Sequence, residues 1–132
     1  MVLDTSALLA VLLGEPGMRA LLEVIDAADQ TVLSAASFVE ASIALEARFG
    51  ADGVRDLDRF LATATIQCVS VDLEQAHAAR EAFRQFGKGR HAAGLNFGDC
   101  FAYALAQTRH EPLLFTGRDF ALTDVIAGLP AG

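Results

Sequence analysis

The chain has 132 residues, enough for one ordinary domain and too few for two well-packed ones. Apolar residues make up 53% of it, which excludes a disordered chain, and its net charge of −7 argues against broad electrostatic binding of nucleic acid. No apolar run approaches the roughly 20 residues needed to span a bilayer, and the start Met1-Val2-Leu3-Asp4 lacks the basic lead-in of a secretory signal, so we expect a cytoplasmic protein.

The first half of the chain reads as two strand–helix units. In each unit a short apolar run ends at residues that can cap the helix behind it. Thr5 or Ser6 offers an N-cap to the first helix, Ser34 offers one to the second, and Gly50 is the stop of the second helix. The predicted elements, in chain order, are a strand at residues 1–3, a leucine-rich helix, a strand at 31–33 and a helix at 35–49.

The second half continues this alternation. Its predicted elements are a helix at residues 53–64, a strand at 66–71, a helix at 73–86, a basic glycine-rich loop at 87–95, a helix from Asn96 or Gly98 to Thr108, a strand at 112–115, a short final helix and a loose tail at 129–132. The strands are apolar throughout, which is typical of a parallel sheet covered on both faces. We therefore predict an α/β fold, one domain over residues 1–132 with a central parallel sheet of four to five strands and helices on both faces.

Four acids are predicted to meet at the carboxyl edge of this sheet, where such folds bind ligands. Asp4 ends the first strand and Asp119 follows the last one, while Glu40 and Asp99 lie in early turns of helices. Taken singly, each has a plainer interpretation, because Asp4, Asp99 and Asp119 can be helix caps or first-turn acids and Glu40 a surface residue. Taken together, carboxylates in a half-buried place resist joint ionisation unless a cation compensates them.

The acids therefore predict a metal site made of oxygen ligands. No cysteine or histidine stands at metal-binding spacing, so Mg²⁺ or Mn²⁺ is favoured over zinc. Such ions commonly bind phosphate esters and activate a water nucleophile, which makes phosphodiester hydrolysis the expected reaction. We expect the hydroxyls of Ser6 and Thr116 to orient the cluster. Cys68 and Cys100 are flanked by core-like residues and are expected to be buried and reduced.

Four ordered segments resemble PIN-domain proteins of the VapC-like toxin group, the ribonuclease halves of toxin–antitoxin pairs. Together they extend along essentially the whole chain, so chance is a poor explanation. The segments are Val2-Leu3-Asp4-Thr5-Ser6, Ser37-Phe38-Val39-Glu40-Ala41, Asn96-Phe97-Gly98-Asp99-Cys100-Phe101 and Phe115-Thr116-Gly117-Arg118-Asp119-Phe120, with Thr123-Asp124-Val125 behind.

The resemblance implies a PIN fold and a metal-dependent endoribonuclease, the toxin of a type II toxin–antitoxin system. It implies Mg²⁺ or Mn²⁺ as cofactor and Asp4, Glu40, Asp99 and Asp119 as catalytic acids and metal ligands. Asp124 is an alternative to Asp119, since the fourth acid of the family varies in place and type. It also implies homodimers, RNA as substrate and neutralisation by a cognate antitoxin that lies over the active site.

The basic residues before the Asp99 motif gain a function from this context. Four of the ten bases fall within eleven positions: Arg80, Arg84, Lys88 and Arg90. On charge alone, a solvated helix face explains them equally well. With RNA as substrate, phosphate contacts at Lys88 and Arg90 become the favoured interpretation.

Two other functions remain as alternatives. A non-catalytic PIN-like module would act through protein contacts with its acids intact but no turnover. A phosphotransfer domain needs two adjacent early acids and a late lysine, whereas Thr5 follows Asp4 here and the only lysine is Lys88. The second alternative is therefore disfavoured, in keeping with how little fold alone says about function.

Overall fold

Four short strands form a parallel sheet in the computed structural model, which describes residues 1–129. The strands are β1 (Val2–Leu3), β2 (Thr31–Ser34), β3 (Ile66–Val69) and β4 (Leu113–Leu114). They lie in the order β3-β2-β1-β4, and every pairing between neighbours is parallel. The predicted α/β class and parallel sheet are confirmed, with four strands within the described range.

Within residues 1–129, six helices connect and cover these strands. They are α1 (Thr5–Leu12), α2 (Met18–Ala27), α3 (Ala35–Phe49), α4 (Ala51–Thr63), α5 (Leu73–Phe86) and α6 (Phe97–Arg109). The predicted bounds of α3 and α5 are confirmed. The predicted elements did not include α2, which Gly14 and Gly17 separate from α1 by turns with φ of 66° and 92°. The short final helix is a single 3₁₀ turn at Phe120–Leu122.

Two apolar layers pack on the two faces of the sheet. Neighbouring residues of a strand point to opposite faces, so Val2 and Val32 join one layer and Leu3 and Leu33 join the other. The first layer also holds the buried residues of α5 and α6, and the second holds those of α1 to α4. This arrangement fixes β1 at the centre of the molecule and buries the residue at which it ends.

The edge strand β3 departs from the prediction. It ends at Val69 rather than continuing to residue 71, and only Ile66 is buried in it. The expectation of a buried Cys68 is therefore wrong, because the edge of the sheet leaves this thiol exposed, whereas Cys100 is buried as expected. Both thiols are free.

Residues 130–132 of the predicted loose tail lie outside the described range. None of the helices in residues 1–129 combines the length and the apolar character that crossing a membrane requires.

Candidate active site

Asp4 lies at the junction of β1 and α1. Its backbone N–H donates to the carbonyl of Leu114 on β4 at 2.9 Å, which fixes it beside the next strand. Its carboxylate caps α1 by accepting a hydrogen bond from the N–H of Ser6 at 2.9 Å. The predicted cap at Thr5 or Ser6 is therefore wrong, because Asp4 itself already has the extended conformation of a cap.

The carboxyl group of Asp4 resists ionisation. The residue is 3% exposed, and this burial is the largest cause that raises its pKa to about 6. The charges of Asp99 and Glu40 raise the pKa further, while hydrogen bonds from Ser6 lower it. Three of the predicted site acids thus lie within electrostatic reach of one another.

Asp99 is placed by a capping box at the start of α6. The side-chain oxygen of Asn96 accepts from the N–H of Asp99 at 2.9 Å, and Oδ2 of Asp99 accepts from the N–H of Asn96 at 3.0 Å. Burial raises the pKa of Asp99, and the charges of Asp119 and Glu40 raise it further. The plainer interpretation as a first-turn acid is therefore correct, and it coexists with a position among the other carboxylates.

Glu40 reaches the start of α6 from α3 because Gly98 has no side chain. A Cβ atom at position 98 would lie 2.7 Å from Cδ of Glu40 and 2.9 Å from its Oε1, closer than atoms can approach. The Glu40 carboxylate therefore occupies the space that a side chain would need, one residue before Asp99. Gly98 was predicted only as a possible first residue of this helix, although a glycine directly before a predicted ligand was a usable signal of close approach.

The two candidates for the fourth acid lie in different surroundings. Asp119 is exposed in the loop after β4, and its charge reaches Asp99. Asp124 accepts hydrogen bonds from the hydroxyl of Tyr103 at 2.5 Å and from the side-chain amide of Gln107 at 3.2 Å, both on α6. This geometry favours Asp119 as a member of the carboxylate group and gives Asp124 a structural partner instead.

Ser6 links the first helix to the loop that leads to Asp119. Its Oγ accepts a hydrogen bond from the backbone N–H of Thr116 at 3.0 Å. Thr116 is held through its backbone in this contact, and the predicted role of its hydroxyl stays a prediction. The contact nevertheless ties the loop after β4 to the helix that Asp4 caps.

The chemistry of these carboxylates fits a divalent cation. Within residues 1–129, no ion pair joins Asp4, Glu40, Asp99 or Asp119 to a lysine, arginine or histidine. No basic side chain therefore offsets their mutual repulsion, which hydrogen bonds from Ser6 and Asn96 reduce only in part. Across the same range, no three side chains of the metal-binding types form a ready ligand set. Mg²⁺ commonly keeps several waters, so carboxylates can bind it through these waters without forming a tight ligand set.

The predicted basic edge is present in part. Arg80, Arg84 and Arg90 line one cleft beside α5, and the guanidinium of Arg90 lies 5.8 Å from the ring centroid of Phe83. Lys88 is exposed on the neighbouring loop and does not line this cleft. The structure thus groups the arginines of α5 with Arg90, which sequence spacing alone did not resolve.

Comparison with known proteins places the whole arrangement in one family. A family model described as the PIN domain matches residues 1–126. The chain belongs to the PIN-domain family. A protein of Mycolicibacterium smegmatis named ribonuclease VapC is 51% identical over 127 residues, covering 96% of this chain and 98% of that protein. Ribonuclease VapC30 of Mycobacterium tuberculosis is 49% identical over 125 residues, covering 95% of each. The resemblance to VapC-like PIN-domain proteins is confirmed.

Two solved structures share this PIN fold. One is VapC20 of Mycobacterium tuberculosis, described as a toxin that cleaves the sarcin–ricin loop, with a TM-score of 0.77, 13% identity and coverage of 95% of both chains. The other belongs to a toxin–antitoxin complex from Klebsiella pneumoniae, with a TM-score of 0.71, 17% identity and coverage of 98% of both chains. At these identities the likeness concerns the fold alone.

Proposed function

We propose that this PIN-domain chain is a metal-dependent endoribonuclease and the toxin of a type II toxin–antitoxin system. The observation that carries the proposal is a group of carboxylates from separate elements around the buried Asp4, whose charges raise the pKa of Asp4 and of Asp99. The two relatives named ribonuclease VapC support the same activity, since each aligns with nearly the whole chain. The toxin assignment rests on the same relatives.

The residues divide the chemical work according to their positions. Asp4, Glu40 and Asp99 hold Mg²⁺ or Mn²⁺, directly or through water, and Asp119 is a fourth ligand or a support for Asp99. When bound, the cation supplies an activated water and neutralises charge on the phosphate. The cation must displace the proton of Asp4, whose pKa is about 6 in the metal-free chain, so binding should strengthen as the pH rises. Ser6 keeps the loop that carries Asp119 in place.

The partners follow from the same assignment. RNA is the substrate, and a cognate antitoxin covers the carboxylates and blocks access to them. Two copies of the chain form a homodimer. The Klebsiella structure supports the antitoxin as a partner because it is a complex of that type on the same fold. These assignments are testable with the purified chain.

The test is cleavage of total cellular RNA by antitoxin-free protein in Mg²⁺, in Mn²⁺ and in chelator. The wild type should give discrete fragments in either metal and none in chelator. Asp4→Asn and Asp99→Asn should each lose this activity, whereas Asp58→Asn, on an exposed position of α4, is the matched control and should retain it. If the wild type and both site variants behave alike while folded, the chain is a non-catalytic interaction module instead.

A further inference from the structure

A cleft of about 680 Å³ opens between α5 and the start of α6, outside the carboxylate group. It combines aromatic rings with guanidinium groups. We call it the aromatic–arginine cleft, and its principal lining residues are Arg80, Phe83, Arg84, Arg90, Phe97 and Phe101.

Two of the phenylalanine rings that line this cleft are exposed to solvent. Phe97 is 79% exposed, the highest fraction among the large apolar residues exposed in residues 1–129. Its ring contacts Phe101 edge-on, with centroids 4.9 Å apart and planes at 78°. Phe83 is also exposed, at 36%. An exposed, oriented ring presents a flat apolar face on which a planar partner can stack.

The charge of the cleft is opposite to that of the whole chain. The protein has a net charge of −7, yet no acid lines the cleft among the described residues, and three of the ten basic side chains do. The one acid paired with a lining arginine, Glu81, contacts Arg84 at 3.5 Å with both side chains largely exposed. Such a pair contributes little and is readily exchanged for another anion.

The cleft and Asp99 share the first turn of α6. Phe97 and Cys100 line it, and Asp99 lies between them in sequence. At about 1.5 Å of rise per residue, the cleft wall and the Asp99 backbone are within one helical turn of each other. A chain that leaves the cleft around this turn can therefore reach the carboxylates.

We propose that the aromatic–arginine cleft binds a single-stranded segment of the RNA substrate and guides it to the carboxylates. A base stacks on Phe97, and phosphates pair with the three arginines. This assignment of the cleft rests on the proposed function. An acidic peptide would use the arginines but gain little from exposed ring faces, whereas a base uses both, because every base has a face that stacks on an aromatic ring.

The first test measures binding in chelator, so that no cleavage intervenes. The probe is a fluorescein-labelled single-stranded RNA of ten nucleotides with mixed sequence, followed by anisotropy at several salt concentrations. Compared with the wild-type chain, the variant Arg80→Gln/Arg84→Gln/Arg90→Gln should bind at least tenfold more weakly. Its slope of log affinity against log salt should fall by about 2, since each lost phosphate contact removes about 0.7.

A matched control separates the cleft from net charge. The variant Arg48→Gln/Arg55→Gln/Arg59→Gln makes the same change in charge on exposed positions of α3 and α4. It should bind the probe within about threefold of the wild type and keep the salt slope. Equal losses in the two triple variants would overturn the proposal, because charge alone would then explain the binding.

The stacking contribution has its own variant pair. Phe97→Leu keeps an apolar side chain without a ring and should weaken binding about tenfold, in the range of one lost stacking contact. Phe97→Tyr keeps the ring and should bind like the wild type. Because Phe97 is 79% exposed, neither change should alter the melting temperature. Equal affinity of Phe97→Leu and the wild type would overturn the stacking assignment.

Failure of this inference is distinguishable from failure of the proposed function. If the wild type cleaves RNA in metal but the cleft variants bind the probe normally, the cleft proposal is overturned and the nuclease stands. If binding depends on the cleft but no metal condition gives cleavage, the cleft proposal is supported and the catalytic one fails. If the cleft variants lose the antitoxin and keep RNA, the cleft is a protein-docking surface and the proposal is overturned.

Discussion

Replacing Gly98 with alanine should separate catalysis from stability in this protein. The new methyl group would need the space of the Glu40 carboxylate, 2.7 Å from its Cδ. That carboxylate ends a flexible, half-exposed side chain, so it can rotate away at little cost to the fold. A displacement of about 1 Å at a catalytic group commonly costs about 100-fold in rate, and we expect a loss of that size in metal-dependent RNA cleavage.

The free energy of unfolding of Gly98→Ala should stay the same or rise, although its cleavage rate falls. Alanine is a better helix former than glycine by up to about 1 kcal/mol, and Gly98 lies in the first turn of α6 with no positive φ. We therefore expect the variant to be unchanged or more stable, with a melting temperature up to about 4 °C higher. The assays are initial rates of RNA cleavage in Mg²⁺ and thermal unfolding in chelator.

A second glycine provides the contrast. A Cβ atom at Gly53 would lie 3.0 Å from the carbonyl carbon of Leu45 and 3.1 Å from Cβ of Phe49, and this backbone cannot swing aside. Gly53→Ala should therefore destabilise the fold by about 1–3 kcal/mol while leaving the folded fraction active.

A double-variant comparison decides whether Gly98 acts through Glu40. Gly98→Ala introduced into Glu40→Ala should cause little further loss, because the displaced carboxylate is already gone. An equal further loss in that background would refute the reasoning, since the methyl group would then be acting somewhere else. Retention of full activity by Gly98→Ala alone would refute it as well.

Four further outcomes are expected. Asp4→Asn keeps a capping side chain but cannot ionise. The pKa of Asp4 is about 6 in the folded wild type and 3.8 in the unfolded chain, so the stability of the wild type relative to this variant should fall by as much as about 3 kcal/mol as the pH rises from 4 through 6. Urea unfolding in chelator measures this difference, and a difference independent of pH would contradict the prediction. Wild-type cleavage in Mg²⁺ should rise with pH as the cation displaces the proton of Asp4, and a rate independent of pH from about 4 to about 6 would count against Asp4 as a ligand. Tyr103→Phe should cost about 1–3 kcal/mol of stability by removing the hydrogen bond to Asp124, with equal unfolding curves as the opposing result. Ser6→Ala should cost about 1 kcal/mol and lower the cleavage rate by freeing the loop at Thr116, whereas an unchanged rate would remove Ser6 from the positioning of the site.

Local patterns predicted the long helices of this chain well and its edges less well. Single residues mark both ends of these helices. Ser34 caps α3 and Gly50 follows it, while Asp72 caps α5 and Gly87 follows it, so the bounds depend only on the neighbouring sequence. The burial of Cys68 depends instead on which strand lies at the edge of the sheet. Strand order is a long-range property, and no short window of sequence contains it.

The candidate site shows the same division. Asp4, Glu40, Asp99 and Asp119 were predicted together because parallel strands end at one edge and because a family resemblance supported them, and their catalytic role stays a prediction. The space that Gly98 leaves for Glu40, and the engagement of Asp124 by Tyr103, depend on the packing of α3 and of the C-terminal turn against α6.

The sequence by itself determined the alternation of strands and helices, the caps of the long helices and the kinds of residue at the strand ends, since these depend on a few neighbouring side chains. Only the tertiary structure decided that Asp99 and Glu40 lie close enough to raise the pKa of Asp4. It also decided that the arginines of α5 share a cleft with Phe97. Electrostatic repulsion and stacking act over a few ångströms between residues distant in the chain, so they exist only once the layers have packed.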